Sequence, residues 1–245
     1  MEPIDNLVTL HAEDERLRGE HMSLIAGNEE LRDHIHMIQE AMNMLWVFTH
    51  DHTRKNDDEL TMQFLGIRLF NSAASSIKLA YSGYYQNAFS ALRDFLETFF
   101  LVDFLVSNPA RVSEWMAADE KALRSEFGPA AVRVELDKRD GFKGKKRKEL
   151  YDRISHHATH ATPSGFKLTT KDMLGEIGPF DRPASFMAWA QEAVKMICNS
   201  GVVYGAFFQK VDKMGLVTKA HYINELDKWT AKYFGSTYQR PGKTD

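Results

Sequence analysis

The chain has 245 residues and a formal net charge of −3. This length is enough for one large domain, or a domain with an extension, that buries a core without crosslinks. A single cysteine, Cys198, excludes a disulfide framework and a cysteine-rich metal site within one chain, which indicates a reducing, cytoplasmic compartment. We expect no membrane partner, because no secretory apolar segment follows the acidic start and the longest apolar run, Phe95 to Val106, is too short to span a bilayer.

The N-terminal part of the chain carries a heptad pattern. Large aliphatic side chains recur at every seventh position: Leu10, Leu17, Leu24, Leu31, Ile38 and Leu45. This spacing predicts a long helix of coiled-coil character, although Gly19 and Gly27 weaken it. Two alternatives follow. The helix dimerises the protein, or it folds as an amphipathic helix onto its own bundle. We assign residues 1–50 to an N-terminal helical extension.

The next segments read as a polar turn followed by two helices. Residues 49–58 are polar, and Asp57 or Asp58 is available to cap a helix from about Glu59 to Tyr81. After Gly83, the segment from Tyr84 to Ser107 is apolar nearly all round. Such a helix belongs at the centre of a bundle.

Glycine and proline breaks divide the remainder into further helices. The predicted elements are a helix carrying Trp115 and Leu123, one from Lys145 to about His160, one from Ala184 to Lys213, and one from Lys219 to Phe234. Residues 161–183 are predicted to be irregular, with an extended stretch near Phe166 to Thr170. The fold class is therefore all-α, an up-and-down helical bundle over residues 51–235, with a flexible tail at 236–245.

The segment from Tyr151 to His160 (YDRISHHATH) is the densest group of reactive side chains, and it holds three of the ten histidines. On a helix, Arg153 and His160 lie about two turns apart on one face, with His156 and His157 between them. A neutral imidazole exchanges a proton near neutral pH, and a guanidinium stabilises charge on phosphate. The pair therefore suits phosphodiester chemistry.

Arg153, six intervening residues and His160 resemble the Arg-x4-6-His element of the HEPN (higher eukaryotes and prokaryotes nucleotide-binding) superfamily. The pattern Tyr151-x-x-Ile154-Ser155-x4-His160, with Arg93-x-x-x-Glu97 earlier, is similar to HEPN-related bacterial helical proteins. The resemblance covers about 59–213. It implies a HEPN-like bundle that acts as a homodimeric, metal-independent endoribonuclease without a cofactor.

The resemblance also implies roles for individual residues. His160 would be the general acid or base for attack by the RNA 2′-hydroxyl, and Arg153 the phosphate clamp. The supporting residues would be Tyr151, Ser155, His156, His157, Arg93 and Glu97. RNA and an antitoxin or defence protein would be the partners, in a bacterial stress, toxin–antitoxin or phage-defence setting. The alternative is a noncatalytic helical scaffold or interaction module.

Structural roles compete with these chemical ones. Ser155 and His160 would bond the backbone near the helix end, and Arg153 would pair with a carboxylate. Arg93 and Glu97, four residues apart on an apolar helix, predict a buried ion pair. The functional alternative for this pair is a clamp that orients the face of Arg153 and His160.

A basic run precedes the candidate site, consisting of Lys143, Lys145, Lys146, Arg147 and Lys148. It either attracts RNA phosphates or forms a solvated turn and helix start.

His156 and His160 are four residues apart, so on a helix they lie on one face and are candidate metal ligands. His50, His52 or Glu97 would complete a zinc or iron site. The glutamate of the HExxH motif is absent, because His157 follows His156, and no Glu-x-x-His motif occurs. We therefore predict no metal.

Overall fold

The computed structural model describes residues 6–158, 163, 165–171 and 174–236. Within them the chain is an all-α helical bundle, which confirms the predicted fold class. The helices are α1 (Asn6–Gly27), α2 (Glu29–Trp46), α3 (Asp57–Tyr81), α4 (Tyr85–Ser107), α5 (Arg111–Ala117), α6 (Glu120–Ser125), α7 (Pro129–Arg139), α8 (Lys146–Ala158), α9 (Pro183–Phe207) and α10 (Lys213–Phe234). None of these described helices is both long and apolar enough to cross a membrane.

Helix α4 lies at the centre of the bundle, as its apolar composition predicts. It packs against α3, α7, α8 and α9, and Leu92, Phe95 and Leu105 are fully buried. Burial of each such side chain stabilises the fold by about 1.5–3 kcal/mol relative to exposure. Every element of the candidate site is therefore placed by its packing against α4.

The N-terminal heptad residues pack inside the bundle of their own chain. The predicted long helix is instead two helices, because Asn28 ends α1 and its side-chain oxygen accepts a hydrogen bond of 3.0 Å from the Leu31 N–H at the start of α2. Helix α2 packs along α9, and Leu31, Ile38 and Leu45 are buried. Of the two alternatives, the structure has the helix folded onto its own bundle.

This packing changes the domain description and the expected dimer. Because α1 and α2 contribute buried side chains to the bundle, the described part of the predicted extension, residues 6–50, does not stand apart from it. A homodimer that used the heptad seam would have to expose Leu31 and Ile38, whose side chains fill the bundle. Dimerisation stays a prediction, and another surface would have to provide it.

Capping residues explain where several helices differ from prediction. Asn56, and not Asp57 or Asp58, caps α3 by accepting from the Glu59 N–H at 2.8 Å. Asp212 caps α10 by accepting from the Gly215 N–H at 2.8 Å, so this helix begins six residues before the predicted Lys219. The segment that carries Trp115 and Leu123 is two short helices, and Pro129 opens α7.

The segments between helices contain short turns and strands. A π-helical turn, Val47–Asp51, continues α2 into the segment predicted as a polar turn. A 3-10 turn, Gly165–Leu168, occupies most of the stretch predicted to be extended. After it, β1 (Thr170–Lys171) pairs antiparallel with β2 (Leu174–Gly175). The predicted tail, 236–245, lies outside the described residues apart from Ser236.

Candidate functional site

Helix α8 carries most of the candidate residues and packs on α4. Its buried side is formed by Ile154, Ser155 and Ala158, with Leu150 and Tyr151 partly buried. Near its last described turn, the Ser90 hydroxyl of α4 donates a hydrogen bond of 2.9 Å to the Ala158 carbonyl. These contacts turn one side of α8 to the core. Arg153 is exposed and lies outside this buried side.

Arg93 fixes α8 against α4. Its Nε donates to the Ser155 hydroxyl at 3.0 Å, a second guanidinium N–H donates to the Tyr151 hydroxyl, and Glu97 lies 3.3 Å away. The Arg93 and Glu97 side chains are 24% exposed, so the predicted ion pair exists but is only partly buried. On the Tyr151 ring, the Arg133 guanidinium lies 4.2 Å from the centroid. Arg93 therefore also serves as a clamp that holds α8.

Arg153 points away from this clamp, toward α9. Its side chain is 60% exposed, and Nη2 donates to Oε2 of Glu192 at 3.1 Å. The other carboxylate oxygen of Glu192 accepts from Nζ of Lys195 at 3.2 Å. The structural role predicted for Arg153, pairing with a carboxylate, is thus confirmed. A guanidinium has five N–H donors, so this bond, the one that Arg153 makes within the described residues, leaves donors for an anion.

The Arg153–Glu192 pair stands between two cavities along the groove of α8 and α9. The first has a volume of about 370 Å³ and lies between α4, α8 and α9. The second, of about 430 Å³, is lined by Arg153, Glu192, Lys167 and Arg182 among others. We call the first the groove cavity. Its walls combine apolar side chains with charged and polar ones. The apolar residues are Leu96, Phe99, Phe100, Phe142, Leu150, Met196 and Val203, and the others are Lys146, Arg153, Lys195, Arg139, Arg147, Asp103, Glu192 and Asn199.

Comparison of the chain with protein-family models, with curated proteins and with solved structures gave no match.

The basic run divides into exposed lysines and one buried arginine. Lys143, Lys145, Lys146 and Lys148 are exposed, and Nζ of Lys146 lies 4.5 Å from the centroid of the Phe142 ring. Lys148 pairs with Asp152 one turn further along α8. Of these lysines, Lys146 lines the groove cavity and brings positive charge to it, as expected for a surface that attracts phosphates.

Arg147 does not belong to this exposed set. Its side chain is 11% exposed, donates to Asp137 at 2.8 Å and also binds Asp140. Arg139 completes the network with two hydrogen bonds to Asp103, of 2.8 and 2.9 Å. Arg147 therefore has a structural role, because Asp137 and Asp140 already neutralise its charge where α7 and α8 meet α4, and an RNA contact from Arg147 stays a prediction.

The network also affects the ionisation of Asp140. Burial by itself would raise the pKa of this carboxyl group, but hydrogen bonds from Arg139 and Arg147 outweigh it. The pKa of Asp140 consequently lies below its ordinary value of 3.8. The carboxylate stays ionised and holds the start of α8 in place.

The remaining candidates are placed as follows. His156 is exposed on α8, whereas His160 and the His157 side chain lie outside the described residues. Of the proposed metal ligands, His50 bonds Asp51 at 2.6 Å, His52 bonds Glu59 at 3.1 Å, and Glu97 pairs with Arg93. Over the described ranges, no three His, Cys, Asp or Glu side chains form a group that could hold a metal ion.

Three groove residues were not identified from the sequence. Glu192, Lys195 and Asn199 lie on α9, whose apolar composition predicts a core helix. They follow one another at spacings of three and four residues, which places them on one face. A polar stripe on an otherwise apolar helix is the signal that could have identified them.

Proposed function

We propose that this protein binds single-stranded RNA along the groove between α8 and α9 and cleaves it with Arg153 and His160. The observation that supports binding is that one cavity is lined by Lys146, Arg153 and Lys195, so cations from α8 and α9 face the same space. The exposed lysines at 143 and 145 extend this positive surface beyond the cavity. A groove lined by cations follows a phosphate backbone and releases its counterions.

Arg153 is suited to contact a phosphate group because its present partner is exchangeable. An ion pair as exposed as Arg153–Glu192 contributes about 0–1 kcal/mol, so a phosphate oxygen replaces the Glu192 carboxylate at little cost. The planar guanidinium matches two phosphate oxygens at once. The proposed clamp role rests on this exposure and on the position of Arg153 between the two cavities.

The catalytic part of the proposal assigns proton transfer to His160. This residue follows Ala158 by two positions in the sequence, and imidazole is the side chain most often used for proton transfer in catalysis. His160 takes the proton of the 2′-hydroxyl, the 2′-oxygen attacks the neighbouring phosphorus, and the bond from phosphorus to the 5′-oxygen breaks. Return of the proton to that oxygen gives a 5′-hydroxyl end and a 2′,3′-cyclic phosphate end. Arg153 stabilises the charge that develops on the phosphate oxygens.

Binding is tested by fluorescence anisotropy of a labelled single-stranded RNA at several salt concentrations in EDTA. Replacing Lys143, Lys145 and Lys146 together by Gln should weaken binding and reduce the slope of log K against log salt by about 2. The control replaces the exposed Lys121, Lys210 and Lys228, which lie on other surfaces, by Gln. Equal weakening in the control would contradict the proposed site.

Cleavage is tested separately with the same RNA. The wild type should produce cyclic phosphate ends in EDTA, and His160→Ala should abolish cleavage while it keeps RNA affinity and melting temperature. Arg153→Ala should reduce both affinity and cleavage. Intact RNA in the wild-type reaction would exclude the catalytic part and leave a noncatalytic RNA-binding protein.

A further inference from the structure

The groove cavity has a property that contact with phosphates does not require, which is a deep apolar floor. The floor is formed by the side chains of Leu96, Phe99, Phe100, Leu150, Met196 and Val203. Phe99, Phe100 and Met196 are at most 8% exposed, so they line the inside of the cavity and not its rim. An apolar floor of this kind favours a ligand with an apolar body.

We infer that the groove cavity binds a medium-chain carboxylate, with the chain against Phe99 and Met196 and the carboxylate at Lys146 and Lys195. The volume of about 370 Å³ is within the range of small-molecule sites in proteins. This inference does not rest on the proposed RNA binding, although the two ligands would compete for Lys146 and Arg153.

The positive side chains that line the cavity suit a ligand with one negative charge. Arg153 and Lys195 share one carboxylate, that of Glu192, so two cations are balanced by one anion. Lys146 packs against the Phe142 ring and has no carboxylate partner among the residues that the structure describes. One carboxylate group beside these side chains would gain charge-assisted hydrogen bonds from ammonium groups that remain in contact with solvent.

The polar groups inside the cavity argue against a nucleobase as its occupant. The Asp103 carboxylate already accepts two hydrogen bonds from Arg139, and Nδ2 of Asn199 donates to the Lys195 carbonyl at 3.0 Å. A base has several polar atoms on its edge, and they would lose hydration without gaining partners on this floor. An alkyl chain has no such atoms, so the same floor accepts it without penalty.

Chain length provides the most direct test. Each buried methylene strengthens binding by about four-fold, so decanoate should bind about fifteen-fold more tightly than octanoate. Isothermal titration calorimetry of the wild-type protein with these two sodium salts, without RNA, measures this ratio. Octan-1-ol has the octanoate chain without the charge and should bind more weakly. Adenosine monophosphate tests the nucleotide alternative and should not bind in the cavity.

Two variants locate the site. Lys195→Gln should weaken decanoate binding by about two- to five-fold, as expected for loss of a partly exposed ionic contact. Lys228→Gln is the control, because Lys228 pairs with Glu225 at the same three-residue spacing on α10 and should change nothing. Asn199→Phe places a ring at a partly buried position that lines the cavity and should reduce decanoate affinity at least ten-fold, with circular dichroism confirming the fold.

The outcomes separate the alternatives. A fifteen-fold preference for decanoate that Asn199→Phe and Lys195→Gln both reduce supports the site. Equal affinities for octanoate and decanoate, or binding that neither variant changes, would overturn it. Adenosine monophosphate binding that Asn199→Phe abolishes, with no decanoate binding, would assign the cavity to a nucleotide instead.

Discussion

Arg153 of α8 donates a hydrogen bond of 3.1 Å to Glu192 of α9, across the groove that joins the two cavities. Glu192 binds Lys195 as well, so one carboxylate pairs with Arg153 from α8 and with Lys195 from α9. In both proposed complexes, the anionic ligand would compete with this carboxylate for Arg153 or Lys195. Removal of its charge should therefore favour anionic ligands.

Replacement of Glu192 by Gln should strengthen RNA binding by about two- to five-fold, since a side chain of similar shape no longer competes for Arg153 and Lys195. Fluorescence anisotropy at constant salt measures the change. Glu225→Gln is the matched control, because Glu225 pairs with Lys228 on α10 in the same way. Equal strengthening by both variants would show a general charge effect and not a local one.

Arg93 should stabilise the fold much more than an exposed arginine in the same kind of pair. Arg93→Met removes hydrogen bonds to Ser155 and Tyr151 and should lower the free energy of unfolding by about 1.5–3 kcal/mol. Arg124 also lies 3.3 Å from a glutamate four residues away, but it is 83% exposed, so Arg124→Met should have an effect below about 0.5 kcal/mol. Urea denaturation compares the two, and similar losses would contradict the clamp.

The ionic network should make stability depend on acid pH through Asp140. Because the pKa of Asp140 is lowered in the folded protein, its contribution is fully present above the unfolded value of about 4. It is lost as the pH falls through the lower folded pKa. Urea denaturation from pH 7 to pH 3 should show the wild type more stable than Asp140→Asn at pH 7, with a difference that narrows below pH 4.

Asp152→Asn is the control for this pH dependence, because it removes an exposed carboxylate of α8 that lies outside the network. The free energy of unfolding of Asp152→Asn should fall between pH 7 and pH 3 in the same way as that of the wild type. An Asp140→Asn difference that stays constant from pH 7 to pH 3 would show that Asp140 contributes by packing and not by its charge.

Two helical glycines should respond to alanine in opposite directions. A Cβ at Gly66 would overlap the Tyr204 hydroxyl and the Thr49 side chain, so Gly66→Ala should destabilise the protein by about 1–3 kcal/mol. A Cβ at Gly19 meets nothing within 4 Å, so Gly19→Ala should stabilise it by about 0.5–1 kcal/mol. Thermal denaturation of both variants checks the pair, and a stable Gly66→Ala protein would contradict the close packing of α3 and α9.

Sequence periodicity correctly predicted which faces of the helices are buried. It did not predict which helices pack against those faces. Apolar residues on nearly every face of Tyr85–Ser107 predicted that α4 lies at the centre of the bundle, and it does. Heptad spacing correctly marked Leu31, Ile38 and Leu45 for burial. The same spacing is produced by a seam between chains and by a seam within one chain, so it could not decide that α9 is the partner of α2.

The candidate site was predictable only where its parts lie close in sequence. The helix around Tyr151 to Ala158 and the Arg93–Glu97 pair follow from local spacing. Glu192 is 39 residues from Arg153, and local spacing contains no information about which helices meet. Arg147 looks like its lysine neighbours in sequence, and its different role arises from Asp137 on α7 and from Asp140, which follows the last residue of α7.

Helix α8 is held at two levels, by the ionic network at its start and by Arg93 in its middle. The groove is therefore preorganised, because neither α4 nor α8 has to move to bring Lys146 and Arg153 to a ligand. A preorganised site loses little conformational entropy on binding. Association should then be fast and governed by electrostatic attraction, so it should slow steeply as added salt screens the cations.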